Sequence, residues 1–167
     1  MAAKSHALVL ILCTLALPCR AEPAQGEASR SQEPALMAGP TTDLTLYALS
    51  LNGTAYRYGG SDPEGGLDCS GFVGHVFREV AGIDLPRSAQ AIAQLGRKIG
   101  ISELKPGDLV FFNTLRRAFS HVGIYLGNQQ FIHATSSRTG EVLISSLREA
   151  YWARRFDGAR RIDLAGQ

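Results

Sequence analysis

Asp68-Cys69-Ser70-Gly71-Phe72-Val73-Gly74-His75-Val76-Phe77-Arg78-Glu79-Val80-Ala81-Gly82 is the stretch on which the fold turns. Phe72, Val73, Val76, Phe77 and Val80 recur at three- and four-residue spacing, the signature of a helix with one apolar face. Asp68 stands where an N-cap belongs and Gly82 where a helix closes. Such a face must be buried against another element. Upstream, Tyr56-Arg57-Tyr58-Gly59-Gly60 leads into a turn-rich loop over 61–66. Asp43 is positioned to cap a short helix over 44–51, stopped by Asn52-Gly53. Downstream, Ser88 is positioned to cap a helix over 89–95, ended by Gly96.

Beyond Gly96 the period changes. Lys105-Pro106-Gly107-Asp108 is a turn signal, followed by a strand-like run over 109–112. Residues 121–126 alternate: Val122, Ile124 and Leu126 point one way, His121, Gly123 and Tyr125 the other. Gly127-Asn128 is a turn and 131–135 a return strand. A third short strand covers 142–144, a capping box at Ser146–Glu149 opens a helix through Arg154, and 160–164 forms a last strand. Helices first and antiparallel strands later make an α+β domain.

The whole chain has 167 residues, about one domain's worth. Its ordinary composition, 45% hydrophobic and 19% charged, excludes collagen-like, coiled-coil and fully disordered classes. Residues 1–21 read as a secretory signal: Lys4, an apolar run over 7–17, Pro18, then small residues at the cleavage site. That run is shorter than the roughly 20 residues of a membrane span. An uncleaved anchor, or a lipoprotein signal with Cys19 lipidated, remains as an alternative; Pro18 is a poor residue before a lipidated cysteine. Export to the periplasm or cell envelope is expected. Residues 22–42 read as a flexible linker and 43–167 as the folded domain. Removing Lys4 and Arg20 leaves 15 basic residues against 15 acidic ones, so nothing argues for nucleic acid as a partner. No protein partner is implied, and a monomer is expected. Of Cys13, Cys19 and Cys69, only Cys69 stays in the mature chain, so no internal disulfide is possible.

Cys69 opens the central helix, where free N–H groups and the helix dipole favour an anion. A lowered thiol pKa is expected there. Gly71 is a poor helix former, which is understandable if bulk there blocks the sulfur. A thiol nucleophile needs an imidazole, and the imidazole an orienting partner. His6 leaves with the signal and His75 faces away along the helix. His121 and His133 remain, directly opposite on a hairpin if its turn is centred on Gly127. A one-residue slip would put them on opposite faces. Two histidines and a thiolate also make a candidate zinc set, though no fourth ligand is arranged nearby in the sequence.

Several ordered blocks now carry a resemblance. They are Gly53-Thr54-Ala55-Tyr56-Arg57-Tyr58-Gly59-Gly60, Asp68-Cys69-Ser70-Gly71-Phe72-Val73, Leu85-Pro86-Arg87-Ser88, Pro106-Gly107-Asp108-Leu109-Val110-Phe111-Phe112, His121-Val122-Gly123-Ile124-Tyr125 and Phe131-Ile132-His133-Ala134. Together they resemble the NlpC/P60 family of cysteine peptidases over about residues 43–163. Tyr151-Trp152 and Ala159-Arg160-Arg161-Ile162 resemble the tail of its small Gram-negative lipoprotein members. The resemblance implies a papain-like α+β domain, with the nucleophile-bearing helix packed on an antiparallel β-sheet. It implies cleavage of D,L-amide bonds in peptidoglycan stem peptides, of the γ-D-glutamyl–diamino acid type, with no cofactor and no metal. It implies Cys69 as nucleophile, His121 as base and His133 as the orienting third residue. It implies Tyr56 near the oxyanion site, and Asp68, Ser70 and Arg87 in substrate binding or support. An amidase or acyltransferase using the same Cys–His site is an alternative. A non-catalytic wall-binding module is another.

Overall fold

The computed structural model describes residues 39–135 and 140–164. The expected export signal and nearly all of the linker lie outside the described residues. Helix α1 spans Pro40–Ser50, with Gly39 as its N-cap and Pro40 in the first turn. It begins four residues before the expected Leu44, because proline's fixed φ suits a first turn and its missing N–H costs nothing there. Asp43, expected as the cap, instead lies within that first turn, where its carboxylate faces the positive end of the dipole. Leu44 and Ala48, one turn apart, are fully buried.

Strands β1 (Ser61–Asp62) and β2 (Gly66–Leu67) form a small antiparallel pair across the expected loop, running one residue past its end. Helix α2 spans Cys69–Ala81, capped by Asp68 and closed by Gly82 at φ 66°, as expected. Phe72, Val73, Val76 and Phe77 have no solvent exposure. Helix α3 (Ala89–Ile92) carries the expected Ser88 cap but ends three residues early. The chain then enters β3 (Arg97–Ile99), absent from the sequence reading. Two charged residues in a three-residue edge strand leave no alternation to detect.

Strands β4 (Leu109–Phe112), β5 (His121–Gly127), β6 (Gln130–Ala134), β7 (Val142–Ser146) and β8 (Phe156–Arg161) complete a six-stranded sheet. Its order is β3-β8-β4-β5-β6-β7 and every pairing is antiparallel. Strand β8 starts four residues before the expected strand. Asp157, Arg160 and Arg161 hide it in the sequence, and their partners explain them. Arg160 is buried with its Nε donating to the Ala93 carbonyl at 2.7 Å. Arg161 donates from Nε and Nη2 to the two Asp108 oxygens, both at 2.7 Å.

The sheet has an apolar layer on each face. Leu109, Phe111, Val122, Ile124, Ile132 and Val142 cluster with Leu44, Phe72 and Val76 from the helices. Val110, Phe112, Tyr125 and Phe131 pack on the other side with Leu147 and Trp152. Trp152 sits on α4 (Ala150–Ala153), a single turn. The expected capping box forms only in part. Glu149 Oε1 accepts from the Ser146 N–H at 2.8 Å, and Ser146 Oγ from the Arg148 N–H at 3.2 Å. These bonds hold a turn, and the helix starts after Glu149.

Candidate active site

Asp68 organises the start of α2. Its Oδ1 accepts from the Gly71 N–H at 2.6 Å and from the Ser70 hydroxyl at 2.8 Å. Its Oδ2 accepts from the Gly59 N–H at 3.0 Å and from Arg87 Nη2 at 3.5 Å. Arg87 Nη2 also donates to the carbonyls of Gly59 and Gly60, at 3.2 and 3.0 Å. Asp68, Ser70 and Arg87 thus tie the Gly59-Gly60 loop to the helix carrying Cys69. Ser70 is buried, and its hydroxyl also approaches the Arg87 carbonyl at 3.3 Å. Gly71 has a different reason from the expected access to sulfur. A Cβ there would overlap the Gly60 carbonyl and crowd the Arg87 guanidinium. Only glycine lets helix and loop approach so closely.

Cys69 is half-buried and lines an open cleft of about 460 Å³ together with Tyr56, Tyr58, Arg87, Arg117 and His121. The backbone N–H groups of Val122, Ser70 and Cys69 itself favour a thiolate. Burial outweighs them, and with the Asp68 carboxylate it pushes the thiol up to about 11. The lowered pKa expected from the helix start is therefore not realised. One desolvated sulfur beside a carboxylate loses more than three amides return.

His121 opens β5 and His133 lies on β6. His121 Nε2 and His133 Nδ1 are 2.8 Å apart, and His133 Nε2 lies 3.0 Å from Ser145 Oγ on β7. The expected register is corrected by two residues. Ile124 pairs with Ile132 and Tyr125 with Phe131, which sets Gly123 across from His133 and His121 on the diagonal. A shift of two preserves the face, because side chains alternate with period two. A Cβ at Gly123 would press on the Ile132 carbonyl, the Phe131 ring and His133 Cβ. The same diagonal step relates His133 to Ser145, since Phe131 pairs with Ser145 and His133 with Leu143.

The imidazoles sit among aromatic rings. Trp152 stacks on His121 at 5.6 Å and meets His133 edge-on at 4.8 Å. Burial pushes His121 down to about 4, and burial plus repulsion from His121 lowers His133 as well. Both rings are uncharged at neutral pH. His75 stands apart, bonded to the Tyr47 hydroxyl at 3.0 Å. Among the described residues, no cluster of three or more His, Cys, Asp or Glu is arranged to hold a metal ion.

Ser145 and Trp152 were missed as site residues. Ser145 gives no local signal, since only the β6–β7 register brings it to His133. Trp152 is the chain's single tryptophan, and its place among the resembling blocks was the available clue.

The site can be set beside known proteins. Murein DD-endopeptidase MepS/Murein LD-carboxypeptidase of Escherichia coli (strain K12) is 49% identical over 113 residues, 66% of this chain and 56% of that protein. Gamma-DL-glutamyl hydrolase of Bacillus subtilis (strain 168) is 47% identical over 112 residues, 66% of this chain and 27% of that protein. The chain thus spans only part of the length of these relatives. The crystal structure of the NlpC/p60 domain of the peptidoglycan hydrolase SagA superposes with a TM-score of 0.64 at 34% identity. It covers 73% of this chain and 98% of that domain. The NlpC/P60 family pattern itself matches residues 53–161, from the loop before Tyr56 through the end of β8, and so takes in Cys69, His121 and His133. With that span, with Cys69 and His121 in one cleft and with His133 bonded behind His121, the chain belongs to the NlpC/P60 family.

Proposed function

We propose that the chain is an exported cysteine peptidase hydrolysing D,L-amide bonds in peptidoglycan stem peptides, of the γ-D-glutamyl–diamino acid type. The observation carrying this is a thiol at a helix start, sharing an open cleft with a histidine whose Nε2 is held by a second histidine. The relatives' names supply the substrate class.

Cys69 and His121 rest uncharged. When the substrate carbonyl enters, the thiol proton passes to His121 and the sulfur bonds to the carbonyl carbon. The carbonyl oxygen takes the negative charge. Backbone N–H groups at the start of α2 and the Tyr56 hydroxyl are its donors, each worth about 3 kcal/mol in sites of this kind. Imidazolium His121 then protonates the leaving amine, the C–N bond breaks and a thioester remains. Water gives a proton to His121 and attacks the thioester. The carboxylic product leaves and the thiol is restored. Asp68, Ser70 and Arg87 hold the helix start in register with the loop. Their internal bonds favour support over substrate contact.

A second reading keeps the residues and changes the bond. The 49% identical relative is named for DD-endopeptidase and LD-carboxypeptidase activity. Digestion of defined muropeptides by wild type and Cys69→Ala, followed by mass spectrometry, decides between them. A D,L-cut by wild type, absent in the variant, is expected. DD- or LD-cut products select the second reading, and amide transfer products an acyltransferase. Equal cleavage by both proteins removes Cys69 from the chemistry.

A further inference from the structure

The geometry points to Ser145 as a positioning residue that fixes the imidazole tautomers of the site. The inference rests on the peptidase reading for its catalytic consequence, and on hydrogen-bond bookkeeping for its structural one. To take the thiol proton, His121 must present a bare nitrogen to Cys69. Its Nε2 is engaged with His133 at 2.8 Å, so the nitrogen left for the thiol is Nδ1. A bare Nδ1 on neutral His121 puts its proton on Nε2, which donates to His133 Nδ1. His133 Nδ1 is then bare in turn, and its own proton lies on Nε2. That proton needs an acceptor, and the atom at 3.0 Å is Ser145 Oγ.

Every link after Cys69 is buried, so water does not substitute freely for the serine oxygen. His133 has 1% of its surface exposed and Ser145 has 9%. Without Ser145 Oγ, His133 would keep its proton on Nδ1 as readily as on Nε2. Two N–H groups would then face each other between the imidazoles, or the His121 proton would move to Nδ1 and block the base. The serine therefore acts at the far end of a three-strand diagonal, β5 to β6 to β7, without touching substrate. Nothing in the local sequence distinguishes it from Ser146 beside it, whose hydroxyl serves the turn before α4.

Long-range 1H–15N correlation spectra of the 15N-labelled full chain, without substrate, read the tautomers directly. Wild type is expected to show His121 and His133 protonated on Nε2 alone. Ser145→Ala is expected to give His133 signals averaged between the two tautomers. Its kcat for muropeptide cleavage should fall about tenfold, the scale of one lost hydrogen bond, with KM within twofold of wild type. Ser145→Thr keeps the oxygen and should restore both readouts, which a merely misfolded or loosened strand would not allow. A wild-type His133 protonated on Nδ1 overturns the inference. So does a Ser145→Ala protein with wild-type tautomers and kcat. Failure of wild type to cleave any muropeptide would count against the peptidase reading instead, and the spectra would still decide the role of Ser145.

Discussion

Two halves of the cleft are held together by opposite means. The start of α2 is organised around a carboxylate: Asp68 draws in two backbone N–H groups, a hydroxyl and a guanidinium. The wall formed by β5, β6 and β7 is organised by keeping groups uncharged. His121, His133 and Ser145 form a neutral chain among Phe112, Phe131 and Trp152. The helix half tolerates solvent, with the Arg87 side chain 46% exposed. The strand half depends on excluding it. In the proposed mechanism the nucleophile, which must approach substrate, sits on the first, and the base, whose tautomer must be unique, sits on the second. Substitution and acid should therefore damage them differently.

The helix half breaks by steric means. Gly71→Ala places a methyl group in the Gly60 carbonyl, which is backbone and has no rotamer to yield. We expect a loss of about 3 kcal/mol or more, the upper range for overpacking, with loss of cleavage as the loop shifts. Gly74→Ala lies three residues on in the same helix, with open space where its Cβ would stand. It should gain up to about 1 kcal/mol from helix propensity alone. Urea unfolding of the two variants reads the difference. Equal effects would mean that the loop is not packed on the helix as described.

The strand half breaks by protonation. His121 has a folded-state pKa of about 4, below its unfolded value near 6.5. Between those values the unfolded chain binds the proton and the folded one does not. The stability gained by keeping the ring neutral is present above about pH 6.5 and is lost as pH falls toward 4. The lowered value of His133 acts in the same direction. For His121 the loss should amount to roughly 2–3 kcal/mol, at about 1.4 kcal/mol per pKa unit. Unfolding free energies at pH 7, 5.5 and 4.5, with the His121 Hε1 shift followed by NMR, check this. A His121 ring titrating near 6.5 would show that the wall is wet.

The same contrast explains what was legible in the sequence. The start of α2 is encoded locally. Cap, thiol, apolar spacing and closing glycine all lie within residues 68–82, and the helix has the expected limits. The reason for Gly71 was not legible, because it lies in the Gly59-Gly60 loop, brought there by folding. The hairpin depends on pairing. A turn centred on Gly127 would set His121 directly opposite His133, and the observed register differs from that one by two residues. The contact survived because an even slip preserves the face. Ser145 needs a second register on top of the first, and β8 carries arginines whose partners are distant in sequence. What the chain encodes through neighbours was legible, and what it encodes through pairing was legible only to within its period.

The turn that sets this register offers the smallest and most selective test. Asn128 and Gln129 link β5 to β6 with φ of 51° and 61°. Two successive left-handed residues are what a type I′ hairpin turn requires. Asparagine tolerates that conformation, whereas glutamine has no short polar side chain to offset it and is strained by about 1–2 kcal/mol. Gln129 is anchored through its backbone N–H and carbonyl, which a substitution leaves intact. Its N–H donates to the Tyr125 hydroxyl at 3.0 Å, and its carbonyl accepts from the Leu147 N–H at 2.8 Å. Gln129→Gly removes the strain at some cost in unfolded-chain entropy, for a net gain of about 0.5–1 kcal/mol. The side chain is exposed and lies outside the cleft, so cleavage should be unchanged. A higher melting temperature with wild-type kcat is the expected pair of readings. A gain in stability with loss of activity would mean that the relaxed turn pairs β5 and β6 in another register. The His121–His133 contact would then depend on the strain that Gln129 carries.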